Sequence, residues 1–111
     1  MKNTVPVKTF YDAQDARYRS LNSITIHNEV NDIETNIIES VQAGNLDVSI
    51  SGSTEMTTSN AYYYAYYGVT NDPTRVAEVQ TVEQYFYNLG YNIRVSVNTT
   101  TENTLVWNVN W

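Results

Sequence analysis

The residues able to do chemistry are few, and their spacing limits what they could do. Asp12 with Asp15, and Glu29 with Asp32, are carboxylate pairs three residues apart, one helical turn. Such a pair serves as general acid and base only when burial or a neighbour moves one pKa. Nothing in the flanking residues predicts that, and acidic pairs near a helix start also suit the macrodipole. The single histidine, His27, has no second histidine or cysteine to complete a metal site. Asp72 stands before Pro73, where a helix cap is the simpler role than a nucleophile. Asn98-Thr99-Thr100 fits the glycosylation pattern but sits in a polar run that reads as a turn. No GxGxxG, P-loop, GxSxG or HExxH is present. The sequence therefore predicts no catalytic residue, no metal and no cofactor.

The residue type that stands out is tyrosine, ten against two phenylalanines. Tyrosine adds contact area and keeps a hydroxyl for bonding, a bias of contact surfaces. The densest run is Ala61-Tyr62-Tyr63-Tyr64-Ala65-Tyr66-Tyr67-Gly68. Stacked bases would need a cationic groove beside these rings, and residues 46–74 contain no Lys or Arg. A glycan groove needs no such charge. The expected partner contacts are Tyr62, Tyr63, Tyr66 and Tyr67, together with Val5, Val7 and Phe10 near the N-terminus.

Those residues need elements to hold them. Residues 1–11 lack helical period, and Pro6 biases Val5 toward extended structure, so they read as an arm. Residues 12–111 read as one α+β domain. A long helix is expected from about Asp12 to Ala43, with Ile26, Val30, Ile33, Ile37 and Val41 on its buried stripe and Glu29 off it. Asn22–Ser23 offers a bend or restart, and Gly44 a stop. Leu46, Val48 and Ile50 alternate as a short strand. The tyrosine run reads as a short helix ending at Gly68. A further helix starts at Asp72-Pro73, buries Val76, Val79, Val82, Phe86 and Leu89, and stops at Gly90. The period then becomes two. Tyr91, Ile93, Val95 and Val97, then Leu105, Trp107, Val109 and Trp111, predict a hairpin joined by residues 98–103. The expected fold is a three-stranded, mainly antiparallel sheet with two main helices on its apolar face. Asp47, Asn92, Arg94, Asn108 and Asn110 are expected on the wet face.

The totals exclude several partner classes. A chain of 111 residues makes one domain with one core. It has no cysteine, hence no disulfide or thiolate chemistry. With net charge −6 and six Lys and Arg, counterion release on nucleic acid or attraction to an anionic membrane is not expected. The first residues have Lys2, then Pro6 and no apolar core, so neither a signal peptide nor a membrane span is predicted.

The chain also resembles a family of small modules in tailed bacteriophages, chiefly marine T4-like phages of cyanobacteria and their relatives, over about residues 9–111. The features are Tyr11-Asp12-Ala13 with Ala16-Arg17, Asn28-Glu29 with Ile33-Glu34, and Ala43-Gly44-Asn45-Leu46. Met56-Thr57 follows, before Tyr62-Tyr63-Tyr64 and Gly68, then Tyr85-Phe86, Leu89-Gly90-Tyr91 and Trp107-Asn108-Val109-Asn110-Trp111. The LGY step leading to a W-x-x-x-W ending is the most specific. Where the family often has Gly-Asn before the last strand, this chain has Glu102-Asn103. The resemblance implies a virion structural protein and no enzyme, located in the particle. It would be an accessory capsid (decoration or cement) protein, present in many copies in a homo-oligomeric or symmetric array against a major capsid protein. A neck or tail component, a glycan- or receptor-binding module, and an intracellular protein acting on a host factor are the alternatives.

Overall fold

Two helices and three short strands pack their apolar faces into one core. The computed structural model describes residues 23–111. The arm at 1–11, with Val5, Val7 and Phe10, and the first part of the expected long helix lie outside the described residues.

Helix α1 spans Ile24–Gln42, started by the Ser23 side chain, which accepts a hydrogen bond from the Ile26 N–H. Ser23 is thus a helix start, as the capping residues at 22–23 suggested. Ile26, Val30, Ile33 and Ile37 are buried as their spacing requires. Val41 is not. It is 51% exposed, and Ser40 turns inward instead, donating to the Asp47 carbonyl at 2.7 Å. The expected stripe fails there because the helix ends one residue later, at Gln42, and the chain must turn into the sheet. Strand β1 (Asp47–Ile50) follows; Ile50 is buried, while Leu46 stays outside at 70% exposure.

Between β1 and the tyrosines lies an element that periodicity did not announce. Helix α2 is the single turn Glu55–Thr58. Four residues cannot form a stable helix alone. A reciprocal cap holds this one. Thr54 Oγ1 accepts from Thr57 N–H at 3.2 Å, and Thr57 Oγ1 accepts from Thr54 N–H at 2.9 Å. Helix α3 (Asn60–Tyr66) carries the tyrosines and ends before Gly68. Helix α4 (Pro73–Asn88) starts at Asp72, whose carboxylate accepts from Arg75 N–H and pairs with the Arg75 guanidinium at 2.6 Å. Val79, Val82 and Phe86 are buried, but Leu89, 55% exposed, has left the core. It lies past the last helical turn, and Gly90 at φ +99° swings the chain into the hairpin.

Strands β2 (Asn92–Val97) and β3 (Leu105–Asn110) complete an antiparallel sheet of order β1-β3-β2. In the connecting turn, Asn98 Oδ1 accepts from Thr100 N–H and Thr101 N–H, the ordinary turn role expected of it. Glu102 adopts φ +63°, a left-handed position that favours glycine. In the register, Val48 and Ile93 flank Val109, and Ile50 and Val95 flank Trp107. This apolar row faces α1 and α4. The opposite face carries Asp47, Asn92, Arg94, Asn108 and Asn110, as period two requires.

Candidate functional site

Three places combine polar groups or exposed apolar area in a way that deserves a functional reading: a buried carboxylate, the tyrosine helix, and the end of the α1–α4 pair.

Glu29 is 1% exposed, on the same face of α1 as Ile26, Val30 and Ile33. The expectation that it lies off the stripe is wrong, and so is the expectation that nothing desolvates it. Position 29 follows Ile26 by three and precedes Ile33 by four, so the backbone aims it inward whatever its side chain. Its carboxylate is enclosed by donors from two other elements. Oε1 accepts from Met56 N–H at 3.2 Å, in the first turn of α2. Oε2 accepts from Trp107 Nε1–H at 2.8 Å, on the central strand, and from Thr54 Oγ1 at 2.5 Å. Burial raises the Glu29 pKa above the ordinary carboxyl value, against the lowering pull of these bonds. A raised carboxyl pKa is also a mark of general acids. Here both oxygens accept hydrogen bonds from other elements, so the group ties α1, α2 and β3 together. Its supposed partner Asp32 is exposed, and the two carboxylates serve no common site.

Helix α3 divides the predicted tyrosine contacts. Tyr62 is 4% exposed and belongs to the core; its hydroxyl donates to Glu78 Oε1 at 2.7 Å, and the Arg75 guanidinium lies 5.4 Å from its ring centre. Burial, then the Glu78 carboxylate, pushes its pKa up. Tyr63 and Tyr66 are half-buried and pack against the core. Tyr66 donates to Glu83 Oε2 at 3.4 Å, and burial raises the Glu83 pKa. Tyr67 is exposed, stacked edge-on to Tyr66 and tilted against Tyr63. Of the four, Tyr67 is the exposed one, at 45%, whereas Tyr62 is buried.

The third place was not foreseen. At the C-terminal ends of α1 and α4, Glu34, Ile37, Ile38, Phe86, Leu89 and Tyr91 line a groove of about 300 Å³. Ile38 and Leu89 stand exposed on its two rims. The Glu34 side chain is half-buried and makes no hydrogen bond or ion pair with a described residue. The signal was present as Ile38, one residue off the Ile33–Ile37 stripe. A second groove, lined by Gln80, Glu83, Gln84, Tyr87 and Ile93, is more polar. A third, lined by Ser23, Ile26, Pro73, Thr74, Ala77 and Glu78, lies where the chain enters α1.

His27 is half-buried and hydrogen-bonded within α1 through its backbone to Ser23. Among the described residues, no group of three His, Cys, Asp or Glu converges to hold a metal ion, and no helix is long and apolar enough to cross a membrane. No family model, no curated protein and no solved structure matches this chain.

Proposed function

We propose that this chain is a non-enzymatic structural protein of a tailed-phage virion, an accessory capsid protein that works by contact with its neighbours. The observation that carries the contact reading is a contrast in exposure. Among the described residues, the most deeply buried carboxylate, Glu29, is bonded by donors from other elements, whereas Ile38, Val41, Tyr67, Val69, Tyr87 and Leu89 present apolar area to solvent. Of these, Ile38 and Leu89 lie together at one groove, and neighbouring exposed apolar side chains suit burial against another protein. The polar, lightly charged sheet face supplies solubility without strong electrostatic steering. Assignment to a tailed phage rests on the Leu89-Gly90-Tyr91 step and the hairpin ending Trp107-Asn108-Val109-Asn110-Trp111.

Quantitative mass spectrometry of purified particles tests the reading. An accessory capsid protein should be present on the order of hundreds of copies per particle, as icosahedral repetition demands. A small ring-like number would move it to the neck or tail. Its absence from purified particles would overturn the virion reading.

A further inference from the structure

The sheet has two outer strands, and their edges differ. Strand β1 is four residues long, and its Asp47 carbonyl already accepts from the Ser40 hydroxyl. Strand β2 is six residues long and borders β3 alone. Asn98 N–H donates to the Thr104 carbonyl at 2.9 Å, one step beyond the Val97–Leu105 pair. Antiparallel pairs alternate between bonded and unbonded, so Asn92, Arg94 and Ser96 turn their backbone groups toward β3. Ile93, Val95 and Val97 turn theirs outward. On the other side of β3, Trp111 N–H donates to the Leu46 carbonyl at 3.1 Å, which assigns residues 107, 109 and 111 to β1. The two parities agree. Among the described residues, the outward N–H and C=O groups of β2 meet no further strand.

Beneath this edge the helix layer is wider than the sheet. Strands about 4.8 Å apart set the outer two of three about 10 Å apart, whereas two packed helices, each about 10 Å across, cover about 20 Å. Helix α1 packs under β1 and α4 under β2. The flank of α4 turned away from α1 thus runs out past the sheet. There Gln80, Glu83, Gln84 and Tyr87 form a shelf, and with Ile93 they line a groove of about 420 Å³. A strand added at the ordinary spacing would lie over this groove, one face on Ile93 and Tyr87 and the other beside Arg94 on the wet face. Arg94 makes no ion pair with a described residue.

The same dimensions select the occupant. A second folded copy would bring a helix beneath whichever edge strand it offered. That helix would sit about 5 Å from α4, and packed helices need about 8–10 Å. A lone extended segment meets no such obstacle, and Arg94 favours a carboxylate on its outer side. Strand addition of this kind binds through main-chain bonds and takes its selectivity from alternate side chains.

We propose that the β2 edge docks an extended segment of a neighbouring protein, added as a fourth strand over the α4 flank with an acidic side chain beside Arg94. This deepens the contact reading, on which it rests for the presence of a neighbour.

Amide hydrogen exchange of the full-length chain, read by NMR, tests it. In the chain alone the N–H groups of Ile93, Val95 and Val97 should exchange at least about a hundredfold faster than those of Arg94 and Ser96, as open groups do against paired ones. The capped peptide TVEVTV at mM concentration should slow those three amides, and TVKVTV should do so about fivefold less, the upper range for one exposed ion pair. Arg94→Glu should reverse the order of the two peptides. Protection of the three amides in the chain alone would overturn the proposal: independent of concentration, it would mean that the chain covers its own edge; rising with concentration, that copies pair. No slowing by TVEVTV, or equal slowing by both peptides, would overturn it as well. None of these results bears on particle copy number, so the edge can fail while the virion reading stands, and the reverse.

Discussion

Two polar networks hold this small sheet, one beneath it and one upon it, and they differ in solvent more than in chemistry. On the outer face, Asn108 accepts from Ser49 at 3.3 Å and donates to Ser96 at 2.8 Å, and Asn92 donates to Asn110 at 3.0 Å. Beneath the sheet, Glu29 gathers Thr54, Met56 and Trp107. Each network crosses elements distant in sequence. Water can replace any partner lost on the outer face. Nothing can replace one lost around Glu29, where an unmatched donor carries its full desolvation penalty. Position relative to solvent, not the number of bonds, decides which network the fold depends on.

That contrast is open to test. The largest effect is expected from Glu29→Ala, which strands the Met56 and Trp107 N–H groups and leaves a cavity; urea unfolding should show a loss of about 3–5 kcal/mol. Thr54→Val removes the α2 cap together with one bond to Glu29, and should lose about 2 kcal/mol in the same measurement. A pH series gives a third, smaller effect. Burial raises both Glu29 and Glu83 above the ordinary carboxyl value of 4.5, so the folded chain holds these protons more tightly than the unfolded chain. The stability this provides is full below about pH 4.5 and is lost as pH rises through the folded values. The unfolding free energy of the native chain minus that of E29Q/E83Q should therefore be largest near pH 4 and fall toward pH 7; a flat difference would mean that the donors cancel the burial. The smallest effect is expected from Asn108→Ala on the outer face, less than about 1 kcal/mol. Should N108A match E29A, the contrast between the two networks collapses.

Much of this architecture can be read from spacing. Ile26, Val30, Ile33 and Ile37 mark α1, the switch to period two after Gly90 marks the hairpin, and Asp72-Pro73 marks the start of α4. Spacing misleads at the helix ends: Val41 lies one residue before the end of α1 and Leu89 just past the end of α4, and both face solvent. Glu29 escaped for the opposite reason. Its position fits the buried face, but a carboxylate is assumed to be outside unless a partner is visible, and its partners lie 25 to 78 residues away. The one-turn helix at Glu55–Thr58 has no period at all; only the Thr54–Thr57 cap reveals it. The groove at Ile38 and Leu89 is legible only once two helices are seen side by side.

The order of the strands sets a schedule for synthesis. Strand β3 is last in sequence yet central in the sheet, and β1 has no neighbour but β3. A ribosome adding about 5–20 residues per second leaves the Asp47–Ile50 edge without its partner for several seconds. Through that interval Glu29 also waits for the indole that closes its shell. Folding to completion is thus tied to arrival of the final hairpin strand, and until Leu105–Asn110 is made the Asp47–Ile50 edge stays open to pairing with other chains.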